Sequence, residues 1–178
     1  MLRFVSFAGS LSAVMLMTSA AFAQVPADPA NPNEALPEKA NFMPYGEPIK
    51  LEQAKKAADA ALAEATKRGW PVMCIAVVSP SGDLVYFVKM DECQYASIAI
   101  AQHKAKAAAT FRRPTLAFER LLGRGPFFSY LTTLDGVIAS RGGNPIVANG
   151  KIIGAIGVSG GTGSQDDVVS NAGVAAVK

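Results

Sequence analysis

The sequence predicts an α+β domain in which an antiparallel sheet of about five strands has helices packed on it. Four segments have the composition and residue spacing of helices, at 51–68, 95–110, 115–122 and 165–177. Five short β-rich runs lie between them, at 72–79, 83–90, 132–140, 145–148 and 151–159. Because consecutive strands are joined by connections of hairpin length, neighbouring strands are expected to be antiparallel.

The first 23 residues have the three parts of a secretory signal peptide. Arg3 supplies the positive start, residues 4–17 are largely apolar and uncharged, and Ala21-Phe22-Ala23 forms an A-x-A cleavage pattern. The apolar part is shorter than the roughly 20 residues that span a bilayer. We therefore expect cleavage after Ala23 and a periplasmic or secreted protein; a retained anchor or a buried helix is the alternative.

Residues 24–48 are predicted to form a proline-rich linker, because six prolines there interrupt any helix or sheet ladder. Phe42, Met43 and Tyr45, near its end, are candidates for docking on a neighbouring surface. Residues 49–178 are long enough for one domain with its own core. The formal net charge of +3 is too small to indicate a nucleic-acid partner. No apolar run in the mature chain is long enough for a transmembrane span.

The helix at 51–68 is the clearest element, because an apolar stripe recurs along it at three- and four-residue steps. Gly69 and Pro71 end this helix, whereas Lys50 is a poor residue for capping its start. The first strand is almost continuously apolar, which indicates that both of its faces are covered. Pro80-Ser81-Gly82 then turns the chain into the returning strand.

The helix at 95–110 is unusually rich in alanine, so other elements can approach it closely. Pro114 ends this helix, and a short third helix follows. Asn149-Gly150 is a strong tight-turn signal between the last two strands. The closing helix is expected at 165–177, with Ser164 as its N-cap.

Two cysteines remain after the signal peptide, Cys74 and Cys93. Cys74 lies early in the first predicted strand, and Cys93 lies just past the end of the strand that returns beside it. In an oxidising compartment they can form a disulfide. The alternative is a buried core Cys74 and an unrelated loop thiol, and both readings stay open.

Three sequence segments resemble one known family. They are AVVSPSGDL at 76–84; KAKAA at 104–108 followed by FRRPT at 111–115; and GGNPI at 142–146 followed by GAIGVSGG at 154–161 and then by Asp166 and Asp167. In this order and spacing they resemble the GlcG/HbpS family, also called the haem-degrading or DUF336 domain, from about residue 51 to the C-terminus.

The resemblance implies a compact α+β domain that assembles into homo-oligomers, from dimers to octamers. It also implies haem as the cofactor, with haem binding in several members and haem breakdown in some. The chain departs from the family pattern at two positions: Ser79 stands where Asp is frequent, and Lys89 stands where Arg is frequent. Polar contacts of the family at these two positions are therefore not carried over.

Haem binding requires a flat apolar slot, cations for two propionates and at least one axial donor. The segment from residue 111 to residue 130 supplies the first two, and Phe111, Arg112 and Arg113 are its leading candidates because arginine suits planar carboxylates. The alternative is an ordinary amphipathic helix with solvated arginines.

His103, the only histidine, is the first candidate for the axial ligand. Its alternative role is that of a packed side chain on a small apolar helix face. Thr115 is the second candidate metal ligand, because the resemblance implies haem coordination by a threonine; its alternative role is to cap the short third helix. A single histidine excludes a multi-histidine metal site within one subunit.

Gly160 and Gly161 lie in a glycine-rich turn, residues 157–163, that precedes the closing helix. Backbone N–H groups there can cradle an anion. The alternative is a tight turn that needs glycine for a positive φ. Asp166 and Asp167 fall in the first helical turn, where carboxylates favour the helix dipole.

These observations support an exported haem-binding protein that assists haem storage, sensing or breakdown. One alternative is an enzyme or binding protein for a small carboxylate metabolite such as a hydroxy acid, which the glycine turn and the arginines would bind. Another is a non-catalytic assembly module. No nucleophile–base arrangement stands out, so no catalytic residue is predicted.

Overall fold

The computed structural model describes residues 43–177. The predicted signal peptide and most of the predicted linker lie outside the described residues. In chain order the elements are α1 (Leu51–Lys67), β1 (Cys74–Val78), β2 (Leu84–Lys89), α2 (Tyr95–Thr110), α3 (Leu116–Leu122), a 3-10 helix (Pro126–Thr133), β3 (Gly143–Ala148), β4 (Lys151–Ser159) and α4 (Gly163–Ala176).

The four described strands form one sheet in the order β2-β1-β4-β3, and every neighbouring pair is antiparallel. The predicted α+β class is confirmed. Ile75 of β1 pairs with Val88 on one side and with Val158 on the other. Since β1 is a central strand, all five of its residues are buried, as its continuous apolarity predicts.

The fifth strand, predicted at 132–140, is wrong. Thr132 and Thr133 complete the 3-10 helix. Gly136 then adopts a φ of +81°, and the N–H of Val137 bonds back to the carbonyl of Leu134. The chain therefore turns on itself at this point, and the β-branched residues of the segment have no neighbouring strand to pair with.

The two faces of the sheet are covered by different helices: α1 and α4 pack on one face, and α2 packs on the other. Large aliphatic side chains dominate the sheet surface beneath α1 and α4. They include Met73, Ile75, Val77, Ile146, Ile156 and Val158. Small residues dominate the contact beneath α2, including Ala76, Ala101, Ala105, Ala108 and Ala155.

The backbone of α2 lies directly against the sheet. A Cβ atom placed at Gly157 would overlap the carbonyl of Ala101, and one at Gly143 would overlap the carbonyl of Lys104. The alanines of α2 and these two glycines of the sheet therefore both allow the helix backbone to approach the sheet closely.

Helices α1 and α2 end in the same hydrogen-bonded motif but with different residues. After α1, the N–H of Trp70 bonds to the carbonyl of Ala65, and Gly69 takes the left-handed position with a φ of +69°. After α2, the N–H of Arg113 bonds to the carbonyl of Ala108, and Arg112 takes the left-handed position with a φ of +54°. Glycine is the usual residue at this position.

Helix α4 begins earlier than predicted. Its N-cap is Thr162, whose hydroxyl accepts the N–H of Gln165, while the Gln165 side chain accepts the N–H of Thr162. The prediction of Ser164 as N-cap is therefore wrong, because this reciprocal pair satisfies two backbone donors at once.

The last residues of the predicted linker lie beside β4. The N–H of Gly46 bonds to the carbonyl of Ile152 at 2.8 Å, and the N–H of Ile152 bonds to the carbonyl of Pro44 at 2.9 Å. The N–H of Ile49 bonds to the carbonyl of Ile153 at 2.7 Å. We call residues 43–49 the arm.

A disulfide joins Cys74 in β1 to Cys93, which lies in the turn before α2, with 5.8 Å between their Cα atoms. The sequence left open whether these cysteines form a disulfide or are two unrelated thiols, and the structure has the disulfide. The bond ties the central strand to the start of the helix that packs on it.

Candidate functional site

The structure separates the seven predicted site residues into two groups. His103, Phe111, Arg112 and Arg113 lie on α2 and on the turn that follows it, and each is at least partly accessible to solvent. Thr115 is buried, and Gly160 and Gly161 lie in the turn between β4 and α4.

His103 is half-buried on the outer face of α2 and makes no hydrogen bond or ion pair within residues 43–177. Ala96 and Ala99 precede it on the same face, and Lys106 follows it; all three are exposed. The imidazole therefore stands beside small side chains, with a cation one turn further along the helix. Both of its nitrogens are available for a ligand bound from outside.

Phe111 and Arg113 both pack on the buried ring of Phe118. The ring of Phe111 meets that of Phe118 edge to face at 5.3 Å between centroids. The Arg113 guanidinium lies 5.9 Å from the Phe118 centroid, and its Nε donates to the carbonyl of Phe111 at 3.1 Å. The aromatic surface proposed for haem is thus partly covered by α3.

Arg112 lies above the aromatic ring of Tyr45 in the arm, with 5.5 Å between the guanidinium carbon and the ring centroid. The Tyr45 hydroxyl donates towards the carbonyls of Ala109 and Thr110, at 3.1 and 3.0 Å. Tyr45 is one of the candidates for docking, and it contacts the end of α2.

Thr115 is completely buried, and its hydroxyl is bonded within the subunit. Its Oγ1 accepts the N–H of Gly143 at 3.0 Å, and its own N–H bonds to the carbonyl of Gly143 at 2.9 Å. Thr115 is the first residue before α3, but its side chain does not cap that helix. Instead it fixes the start of β3 against α3.

Two N–H groups of the glycine-rich turn, those of Gly161 and Thr162, are bonded to side chains of α4. The N–H of Gly161 bonds to Asp166 Oδ1 at 3.0 Å. Gly160 has a φ of +145° and lies so close to Val72 that a Cβ would overlap the carbonyl of that residue. A carboxylate is therefore already held in this turn, and it comes from the protein itself.

A buried ion pair between Lys104 and Asp166 is the feature that sequence reasoning missed. Lys104 Nζ lies 2.8 Å from Asp166 Oδ2, and both side chains are almost fully buried. Burial raises the pKa of the Asp166 carboxyl, while the Lys104 ammonium and the Gly161 N–H oppose that rise. Both residues stand in the segments that carry the family resemblance, which is the only signal the sequence offered.

Gly142 and Gly143 have no side chains, and this allows Asp166 and Lys104 to pack closely against the start of β3. A Cβ at Gly142 would lie 2.7 Å from the Cβ of Asp166, and one at Gly143 would lie 2.7 Å from Thr115 Cγ2. The pair thus lies beside the start of β3, where α2, α3 and α4 come together.

Glu119 and Arg141 form a second ion pair, which is half-buried and joins α3 to the loop before β3. Glu119 Oε1 accepts from Arg141 Nε at 2.8 Å, and Oε2 accepts the Arg141 N–H at 2.8 Å. The hydrogen bond from the Arg141 side chain lowers the pKa of Glu119.

Other kinds of site are not found in the described part of the chain. Within residues 43–177 no three His, Cys, Asp or Glu side chains are grouped so that they could hold a metal ion, and no helix is both long and apolar enough to cross a membrane. A depression of about 370 Å³ lies away from the predicted residues, lined by Leu62, Pro71, Val88, Lys89, Met90, Asp91 and Glu92.

The fold and these positions define a class of protein: a three-layer α+β domain in which one alanine-rich helix lies directly on the sheet and presents a single histidine outward. Within this class the chain belongs to the family described as haem degrading protein HbpS-like, whose model matches residues 49–175. The family resemblance of the sequence is therefore confirmed.

Named relatives agree with this membership. The chain is 38% identical to Protein GlcG of Escherichia coli K12 over 96 residues, which is 54% of this chain and 69% of GlcG. A crystal structure of a double mutant of Streptomyces reticuli HbpS superposes with a TM-score of 0.68 at 28% identity, covering 82% of this chain and 97% of HbpS.

The crystal structure of a PduOC:heme complex has a TM-score of 0.67 at 21% identity, covering 74% of this chain and 96% of that one. At this identity the likeness concerns the fold alone.

Proposed function

We propose that this protein is an exported haem-binding protein in which haem lies against the outer face of α2 and His103 is the axial ligand. The observation that carries the proposal is the His103 imidazole, which has no partner within residues 43–177 and stands on a face of small side chains. The family's description as haem-degrading supports the choice of ligand. The PduOC:heme complex supports it as well, because a protein of the same fold binds haem.

The residues on this face fit the chemistry of haem. Neutral imidazole is a common haem-iron ligand. Ala96 and Ala99 present only methyl groups, so a flat macrocycle can approach the helix without displacing a large side chain. The cations at the end of α2, Lys106, Arg112 and Arg113, suit the carboxylates that a haem carries on one edge.

Each residue has a separate role in this proposal. His103 would hold the iron, the alanines would exclude water from one side of the macrocycle, and the cations would hold its propionates. Haem supplies redox chemistry at its iron when it is bound. The protein then needs only to orient the group and to control which small molecules reach it.

Thr115, Gly160 and Gly161 have structural roles in this proposal. The Thr115 hydroxyl is buried and bonded to Gly143, so coordination of iron would require this bond to break and the hydroxyl to become accessible. The N–H of Gly161 is bonded to Asp166, so a ligand carboxylate would have to displace a buried one. These contacts also weaken the hydroxy-acid alternative, which relied on the same turn.

Export and self-association belong to the same proposal. The A-x-A pattern at residues 21–23 supports cleavage, and a Cys74–Cys93 disulfide is typical of an oxidising compartment. The side chain of Tyr95 is 87% exposed at the start of α2, so a second copy of the chain on this face would cover it together with one side of the haem. Light scattering and N-terminal sequencing of the exported protein test these two points.

Hemin titration of the purified protein tests the ligand. We expect a shifted Soret band at stoichiometric hemin, and a loss of affinity of at least about tenfold in His103→Ala, which is the value of a bond of roughly 1.4 kcal/mol. Gln102→Ala, one residue away on the same helix, is the matched control and should bind as the wild type does. Absence of a Soret shift in the wild type would overturn haem as the ligand, whereas an unchanged spectrum in His103→Ala would reject this iron ligand.

A further inference from the structure

The segment between α3 and β3 carries an apolar surface that the proposed function does not use. We propose that this surface docks on a membrane that contains anionic phospholipids. Such a contact would hold the protein at the bilayer surface without spanning it. The proposal does not depend on haem, so the two can be tested separately.

Exposed apolar side chains are concentrated in this segment. Eight large hydrophobic residues of the described chain are exposed, and three of them, Phe127, Tyr130 and Leu134, fall within eight consecutive positions. Their exposed fractions are 45%, 49% and 44%. We call these three residues the apolar patch. Grouped apolar side chains at a surface are typical of interaction sites, whereas isolated ones are not.

The 3-10 helix that carries most of the apolar patch is apolar on two of its sides. Because such a helix has three residues per turn, residues i and i+3 lie above one another. Phe128 and Leu131 share one side, where Leu131 is buried and Phe128 is half-buried. Phe127 and Tyr130 share another side, and both are exposed. The buried side holds the helix on the domain, so the exposed side is available to contact a second surface.

Two hydroxyl groups of the 3-10 helix are bonded to carbonyls of the same helix. Thr132 Oγ1 donates to the carbonyl of Ser129 at 2.8 Å, and Thr133 Oγ1 donates to the carbonyl of Tyr130 at 2.7 Å. A polar group that already has a hydrogen bond costs less to remove from water than an unpaired one. These internal bonds therefore lower the cost of bringing the segment into the interfacial layer of a bilayer.

Two arginines lie in sequence just before the 3-10 helix. Arg120 and Arg124 are both exposed, and neither side chain makes an ion pair within residues 43–177. Residues 116–135 contain two carboxylates. Glu119 is paired with Arg141, and Asp135 has no such partner in the described chain. Two unpaired cations thus stand against one unpaired anion, and this charge favours an anionic surface.

An anionic bilayer suits this surface better than a second copy of the chain does. A two-fold contact brings identical patches together, so the arginines of both copies would lie around one interface, and like charges there oppose association. Phospholipid phosphates are instead suitable partners for guanidinium groups. Tyr130 also suits the interface, because its ring is apolar and its hydroxyl can remain at the level of the head groups.

Sedimentation of the purified protein with vesicles tests the proposal. We expect binding to vesicles of phosphatidylcholine and phosphatidylglycerol in equal parts, and weaker binding to phosphatidylcholine alone. The double variant Arg120→Gln/Arg124→Gln should lose about fivefold in affinity for the mixed vesicles for each arginine removed. Lys56→Gln/Lys67→Gln makes the same change of charge at exposed positions of α1. As the matched control, it should lose less.

The contribution of the apolar side chains is tested in the same assay. Phe127→Ser/Tyr130→Ser should bind the mixed vesicles about tenfold more weakly or worse, because interfacial binding scales with the apolar area that is buried. Leu51→Ser/Leu84→Ser is the matched control, since these leucines are exposed by 48% and 50% on other elements. Thermal unfolding of each variant reports any effect on the fold.

A fluorescent variant keeps the test independent of variants that lose an apolar side chain. In Phe127→Trp, the new indole should shift its emission to shorter wavelengths when the mixed vesicles are added. Trp70 is the only tryptophan of the natural chain, so the wild type supplies the baseline and should show no such shift.

Three outcomes would overturn the proposal. Equal binding of the wild type to both kinds of vesicle would remove the role of anionic lipid. Equal losses in the arginine and lysine variants, or an unshifted emission in Phe127→Trp, would place any membrane contact elsewhere. Light scattering could also show self-association that is lost in Phe127→Ser/Tyr130→Ser, without vesicle binding; this surface would then be an interface between copies. Hemin titration of the same variants should match the wild type, because this surface lies outside the proposed haem site.

Discussion

The two faces of the sheet are packed by different means. Beneath α1 and α4, branched aliphatic side chains fill the space between helix and strand. Beneath α2, alanines and glycines bring the backbones themselves into contact. Most positions on the inner face of α2 therefore have no space for a large side chain. A residue of α2 that binds a ligand must lie on its outer face or at its ends.

Lys104 is the exception on the inner side of α2. Its long side chain is buried, and it pairs with Asp166 of α4. The pair therefore connects the small-residue layer to the layer on the opposite face of the sheet. The following changes test whether the two layers differ as described, beginning with the largest expected effect.

Replacing Lys104 by Met should lower the free energy of unfolding by about 3–5 kcal/mol, because the Asp166 carboxylate would be left buried without its partner. The loss should shrink as the pH falls, since Asp166 can take up a proton and stay buried in neutral form. Urea unfolding between pH 4 and pH 8 measures both effects. Lys106→Met on the exposed side is the control, and the double variant Lys104→Met/Asp166→Leu should recover much of the loss. If Lys104→Met and Lys106→Met had equal free energies of unfolding, the stabilising role of the Lys104–Asp166 pair would be contradicted.

Adding one methyl group at Gly157 should cost about 3 kcal/mol, because the new Cβ would overlap the α2 backbone, which cannot move aside as a flexible side chain can. The neighbouring residue Ile156 faces the opposite layer, so Ile156→Val is the matched control. It removes one methyl group and should cost about 0.5–1.5 kcal/mol. Urea unfolding of the two variants checks the order, and a smaller loss for Gly157→Ala would contradict the close backbone packing.

The two helix ends should respond differently to a change at the left-handed position. Gly69→Ala should lose about 1 kcal/mol, which reflects the backbone alone because no atom lies within 4 Å of the new Cβ. Arg112→Gly should lose less stability than this or gain some, because it removes the same strain. Thermal unfolding of both variants checks the contrast. A loss at Arg112→Gly greater than that at Gly69→Ala would show that the arginine stabilises the fold by more than it strains the backbone.

Glu119 should give the smallest effect, below about 1 kcal/mol, because its ion pair is partly solvated. Its pKa is lowered by the hydrogen bond from Arg141. The stability that this group contributes is therefore present above its ordinary pKa of 4.5 and is lost as the pH falls through the lowered value. Urea unfolding of the wild type and of Glu119→Gln between pH 3 and pH 7 measures the difference. A difference that grew towards acid pH would contradict the assignment.

Local patterns predicted most of the fold. The helix predicted at 95–110 begins at Tyr95 and ends at Thr110 as expected, because the proline that follows and the alanine content are local signals. The strand predicted at 132–140 failed because its β-branched residues indicate a preference, while the turn at Gly136 and the lack of a neighbouring strand decide the outcome.

The candidate site was less predictable than the fold. The sequence predicts that His103 lies on a small-residue face of its helix but leaves open whether the side chain is packed or accessible. The Lys104–Asp166 pair joins residues 62 positions apart, and no local pattern links them. The glycine-rich turn has the residues of an anion cradle, yet the anion in it is Asp166. Only the folded chain shows that Thr115 bonds to Gly143 rather than to its own helix.

The disulfide between Cys74 and Cys93 also makes the stability of the folded protein depend on the compartment in which it is located. By the entropy of closing a loop of this length, the cross-link adds about 3 kcal/mol, and a reducing cytosol withholds it. If the chain is exported as proposed, the precursor is easier to unfold while it must still be threaded through the membrane. The same chain becomes harder to unfold once it has arrived. The disulfide would then stabilise the fold only after export, when the chain no longer has to unfold.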